Sequence, residues 1–92
     1  MTVHLEYHAQ IRSFIGKSAD TLVLAADTTV QQAIHALLQK YGEDVRGFLT
    51  TPEGELRPSI LLFLGDRQVR WSVPTPLKDG DQLLLLSPIA GG

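Results

Sequence analysis

The feature that most constrains this chain is one helical stripe set among strand-like segments: Val30, Ala33, Ile34, Leu37, Leu38 and Tyr41 fall at helical spacing. Such a stripe needs an apolar surface to cover, and the flanking sequence supplies strands. Asp27 or Thr28 can cap its start, and Gly42 stands where a C-terminal cap belongs. From Thr2 to Gln10 the residues alternate, with Val3, Leu5, Tyr7 and Ala9 on one side and His4, Glu6 and His8 on the other, as in a half-buried strand. Ile11 to Ile15 is short and mixed, Gly16-Lys17-Ser18 reads as a turn, and Asp20 to Ala25 forms a second strand with Leu22 and Leu24 on one face. An opening hairpin follows.

Beyond the helix, Glu43 to Ser59 reads as an ordered surface loop, in which Val45, Phe48 and Leu49 could make one helical turn. Within it, Thr51-Pro52-Glu53-Gly54 suits a type I turn. Ile60 to Leu64 is a strand, Gly65-Asp66-Arg67 a turn and Gln68 to Trp71 a short strand before the connection from Pro74 to Pro76. The turn Lys78-Asp79-Gly80-Asp81 then introduces a closing strand from Leu83 to Leu86. This order predicts an α+β domain, one layer of sheet with a single main helix packed across it.

A chain of 92 residues fits one small domain with a thin core. Its 43% hydrophobic and 20% charged content is that of an ordinary globular protein. A net charge of -2 with scattered Lys and Arg argues against nucleic acid as a partner, since Arg57, Arg67 and Arg70 are the nearest approach to a basic patch. With no cysteine, the chain has no thiol nucleophile and no thiolate metal site, so any sulfur chemistry must use sulfur brought by another molecule. No apolar run approaches the length that spans a bilayer, and the start Met1-Thr2-Val3-His4-Leu5-Glu6 lacks a secretory pattern. No membrane partner and a cytoplasmic location are therefore expected.

After the closing strand the sequence reads Ser87-Pro88-Ile89-Ala90-Gly91-Gly92. Four residues beyond Pro88 make a tether of at most roughly 13 Å, so the division expected is a domain over 1–88 and a flexible tail over 89–92. The strand order, the Lys78 to Asp81 turn and this Pro-Ile-Ala-Gly-Gly end together resemble the ubiquitin-like β-grasp sulfur carriers of the ThiS/MoaD family over nearly the whole chain. Gly65-Asp66-Arg67-Gln68-Val69-Arg70 looks like the hairpin these carriers place before the final strand, with Gly65 where many members have Asn. The long Glu43 to Ser59 segment and the Ala-Gly-Gly end are similar to the longer carriers that serve molybdopterin or cysteine synthesis.

The resemblance implies a mixed sheet of about five strands and a chain that is a cosubstrate rather than an enzyme. It implies that an E1-like adenylating enzyme uses ATP to activate the Gly92 carboxylate, that a sulfur donor converts it to a thiocarboxylate, and that an acceptor synthase takes the sulfur. That synthase would belong to a molybdopterin, cysteine or thiamin-type pathway. No stably bound cofactor is implied. A protein modifier joined to lysines through Gly92 would need the same end, so the sequence leaves both open. Gly91 and Ala90 give the thin profile that a partner's channel admits, and Ile89 is the first side chain able to anchor.

Strict alternation also proposes a docking surface. If Leu83, Leu85, Ile60, Leu62 and Leu64 point to the helix, Leu61, Phe63, Leu84 and Leu86 face the other way and form an exposed apolar patch for the activating enzyme and acceptor. The alternative is that the long segment folds over that face or that both faces are buried. His4 and His8 stand roughly 13 Å apart along a strand, too far to share one ion, so no metal site is expected. No Ser-His-Asp framework or phosphate-binding glycine motif is present, and so no autonomous catalytic residue. Trp71 is expected to pack against the loop or sheet edge.

Overall fold

The computed structural model describes residues 1–87, so the expected boundary at 88 and the tail 89–92 lie outside the described residues. Its elements run β1 (Thr2–Ala9), α1 (Gln10–Ile15), β2 (Ala19–Val23), α2 (Val30–Leu38), α3 (Glu43–Leu49), β3 (Leu61–Leu64), β4 (Arg67–Gln68) and β5 (Gln82–Ser87). The strands form one mixed sheet in the order β2-β1-β5-β3-β4. β1 and β5 run parallel at its centre, and the other neighbours pair antiparallel. This is the β-grasp arrangement that the sequence anticipated.

Period-2 alternation decides which side chains enter the core. Val3, Leu5 and Tyr7 of β1, Leu22 of β2, Leu62 of β3 and Leu83 and Leu85 of β5 are buried in one cluster with Val30, Ala33, Ile34, Leu37 and Leu38 of α2. The helical stripe is thus placed against the centre of the sheet. Fully burying one such Leu is worth about 1.5–3 kcal/mol, and truncating it to Ala costs about 2–5 kcal/mol because a cavity remains.

Several local expectations are corrected. The cap of α2 is Thr29, not Asp27 or Thr28: its hydroxyl accepts from the Gln32 amide at 3.2 Å while Gln32 Oε1 accepts from the Thr29 amide at 3.0 Å. Asp27 stands at φ 68 and Thr28 donates to the Ala25 carbonyl at 2.6 Å, so both belong to the preceding turn. Gly42 does not close α2, which ends at Leu38. It has extended backbone (φ -79) and starts α3, its carbonyl accepting from the Arg46 amide at 3.2 Å.

The Ile11 to Ile15 stretch is a helix, α1, anchored by buried Ile11 and closed by Gly16 in the left-handed conformation, φ 88. Ala9 leaves the sheet at φ 57 to enter it and is exposed, contrary to its expected inward side. The segment read as a surface loop begins as a two-turn helix because Val45 and Leu49, four residues apart, both reach the core. The turn inside it is as expected, with the Gly54 amide donating to the Thr51 carbonyl at 2.8 Å. β4 is shorter than the Gln68 to Trp71 strand foreseen. Gly65, at φ 63, suits the first place of a type II′ hairpin turn.

Candidate functional site

The site is organised by β5, which has partners on both sides and leads directly into residues 88–92. Its inward residues Leu83 and Leu85 lie in the core, so its outward residues must be Leu84 and Leu86. The register sets Leu84 opposite Phe63 and Leu86 opposite Leu61 on β3. Two large cross-strand pairs therefore stand side by side on the outer face, close enough to cover one another. On the other flank, Gln82, Leu84 and Leu86 meet His4, Glu6 and His8 of β1. The outer face is split into an apolar half over β5 and β3 and a polar half over β1.

Leu61, Phe63, Leu84 and Leu86 are brought together as expected, but each is half-buried rather than fully exposed, because cross-strand packing hides part of each side chain. The buried residues of α1, α2 and α3 all belong to the cluster on the opposite face, so these helices do not bury the patch. Gly92, Gly91, Ala90 and Ile89 lie outside the described residues.

The His residues of β1 have separate partners: His8 Nε2 lies 3.4 Å from Glu6 Oε2, and His4 Nδ1 lies 3.5 Å from the Thr21 hydroxyl. Among the described residues no three His, Asp or Glu side chains are grouped to hold a metal. Trp71 is partly buried against the core and meets His35 edge to face, with centroids 6.0 Å apart.

Sequence reasoning missed a polar cluster on the core side of the sheet edge. Asp20 is paired with Leu5 and shares the inward phase of Leu22, and its side chain is only 6% exposed. Its Oδ2 accepts from the Tyr7 hydroxyl at 2.8 Å and from the Tyr41 hydroxyl. Its Oδ1 accepts from Lys17 at 3.2 Å and Lys40 at 3.1 Å. Burial alone would push this carboxyl up, but donation from Tyr41, Tyr7, Lys40 and Lys17 outweighs it and holds Asp20 well below the usual carboxylate range. Burial, with the adjacent carboxylate, pushes the Tyr7 and Tyr41 hydroxyls up. With its four donors satisfied, the cluster ties β1, the α1–β2 turn and the end of α2 together. The signal was legible as an acid in phase with Leu22 and Leu24.

Sequence also missed the exposed aromatic at the end of the sheet. Phe14 on α1 stacks on Phe48 on α3, with centroids 4.6 Å apart and planes 8° from parallel, yet remains 47% exposed.

Comparison with known proteins places this geometry in a family. The ThiS family matches residues 5–92. A protein of Archaeoglobus fulgidus described as a sulfur carrier is 35% identical over 75 residues, covering 79% of this chain and 84% of the relative. The structure of SAMP1 from Haloferax volcanii, a small archaeal modifier protein, superposes with a TM-score of 0.89 over 100% of both chains at 21% identity, a likeness of fold alone. The Amycolatopsis orientalis BexX/CysO complex contains a chain that superposes at 0.71 with 27% identity, over 98% of this chain and 99% of that one. The fold is the ubiquitin-like β-grasp, and the chain belongs to the ThiS family.

Proposed function

We propose that this protein is a sulfur carrier whose Gly92 carboxylate is adenylated by an E1-like enzyme and then converted to a thiocarboxylate. The observation that carries the reading is the family match running through residue 92, so that it includes Gly91 and Gly92. A carboxylate is a poor electrophile until ATP converts it to an acyl phosphate anhydride. That step releases pyrophosphate; attack on the carbonyl by sulfur delivered at the oxidation level of hydrosulfide then forms the C–S bond, expels AMP and leaves a thiocarboxylate on Gly92. The product is ionised at neutral pH and is a ready nucleophile, by the chemistry that governs thiolates. Requiring ATP, the reaction belongs in the cytoplasm.

In this reading the chain supplies no catalytic group. It supplies the reacting carboxylate on a backbone without side chains, and a surface that brings it to its partners. Leu61, Phe63, Leu84 and Leu86 form the contact for the activating enzyme and then for an acceptor synthase in a molybdopterin, cysteine or thiamin-type pathway. One patch would meet both, so the two partners would bind in turn.

The test is intact mass spectrometry of the protein from its native host, with and without a thiol-directed alkylating reagent. The absence of cysteine leaves a thiocarboxylate as the sole alkylation site expected. A species heavier by the exchange of oxygen for sulfur, alkylated once on the peptide containing Gly92, is the expected result. An unlabelled acid together with Gly92 linked to lysines of other proteins would overturn sulfur delivery and establish a protein modifier.

A further inference from the structure

We propose that the Phe14–Phe48 pair, with Arg12 beside it, is a second docking surface for the enzyme that activates Gly92, separate from the outer face of the sheet. The inference rests on the proposed activation and adds to it where the enzyme holds the carrier. Ser87, the last residue of β5, donates to Gln10 Oε1 at 3.4 Å, so the strand ends against the first residue of α1. Gln10 in turn lines an open cavity of 310 Å³ with Ser13, Phe14 and Phe48. The aromatic pair therefore borders the point from which residues 88–92 depart.

The length of that departing segment fixes who must come near. Five residues reach at most about 17 Å. An active site that holds the Gly92 carboxylate must bring its protein surface within that radius of Ser87. Phe14 stands one helical turn from Gln10, which Ser87 contacts, and lines the same cavity; the other large hydrophobic side chains exposed among the described residues are Val23 and Val73. An aromatic side chain stacked on its neighbour is already held in place, so little side-chain freedom is lost when a partner covers it.

The same short helix carries charge. Arg12 is exposed and has no ion pair among the described residues, whereas Lys17 is drawn to Asp20. Arg12 and Lys17 line an adjoining cavity that shares Ser13 with the first. Of the two cations lining that cavity, Arg12 is the one not already engaged by a carboxylate among the described residues. The partner surface that fits is an apolar pocket for Phe14 flanked by carboxylates for Arg12.

The experiment is carrier-dependent ATP–pyrophosphate exchange by the E1-like enzyme of the same organism, comparing the full-length chain with Phe14→Ala and Arg12→Glu. Phe14→Ala is expected to raise KM for the carrier about tenfold with kcat unchanged and the chain still folded at the assay temperature by circular dichroism. Arg12→Glu, at an exposed position, is expected to raise KM at low salt and to approach wild type in about 0.5 M NaCl. Wild-type KM for both variants would overturn the docking surface while leaving activation intact. Absence of exchange with the wild-type chain would overturn the activation reading itself. Sedimentation showing a wild-type dimer that Phe14→Ala dissolves would assign the surface to a second copy instead and refute the enzyme contact.

Discussion

Replacing Asp20 with Asn keeps the size of the side chain and an acceptor oxygen but removes the charge on which four donors converge. Tyr7 is 1% exposed, so its hydroxyl has no ready access to solvent as an alternative. A hydrogen bond to a charged group is worth about 1.5–3 kcal/mol. The two lysines are nearly half exposed and add about 0–1 kcal/mol after solvent screening. Desolvation of the carboxylate opposes these gains, and Asn retains part of the bonding. The expected loss at pH 7 is about 2 kcal/mol, or roughly 8–16 °C in a domain of this size. The pH dependence is the sharper test. The folded pKa of Asp20 is depressed, so its contribution is full above the unfolded value of about 3.9 and is lost as pH falls toward the folded value. Between pH 7 and pH 2.5 the unfolded chain takes up a proton that the folded one refuses, which removes most of that contribution. Urea titrations of wild type and Asp20→Asn, followed by circular dichroism, should show the gap closing over that range. Equal stability at pH 7, or a gap that stays constant to pH 2.5, would refute the account of the cluster.

Alkaline titration should reveal the tyrosines: their folded pKa values are raised, so stability holds below about pH 10 and then falls by up to about 1.4 kcal/mol per pH unit for each, with Tyr7→Phe removing its share. Thr29→Ala should cost about 1 kcal/mol in chemical denaturation by breaking the capping box of α2; a change under about 0.3 kcal/mol would show that the tertiary contacts alone hold that helix end. Leu85→Ala and Leu84→Asp should separate the two faces of β5. The first should lose about 3 kcal/mol from the core, while the second should remain folded and fail to support adenylation, and unfolding of Leu84→Asp would mark the outer face as core.

The sheet and its main helix were legible because their periods are long enough to count. Eight residues of β1 and the stripe from Val30 to Tyr41 each repeat several times, and each points to one buried face. Helices α1 and α3, of six and seven residues, escape that test because one or two core contacts define them. Ile11 alone does not make a period, and Val45 with Leu49 makes only one step. The caps were misplaced because Asp27, Thr28 and Thr29 are all competent residues, and the choice is made by the contact of the Val30 amide with the Thr75 carbonyl at 2.7 Å, distant in sequence. The apolar patch was readable from alternation, but its half-burial required the register that pairs Phe63 with Leu84. Phe14 looked like one apolar residue in a mixed run, since its partner Phe48 is remote in sequence.

The position of β5 between β1 and β3 also has a mechanical meaning. If the proposed partner drew residues 88–92 into a channel in the direction of the strand, the pull would fall on the end of β5. Because the ladder bonds run across the strand, such a pull loads two rows of them in shear rather than opening them one at a time. A strand at the sheet edge would share that load with a single neighbour. A load applied along the strand through residue 92 would therefore leave the domain folded, and single-molecule pulling from Gly92 against an anchor at the start of β1 should give a high rupture force.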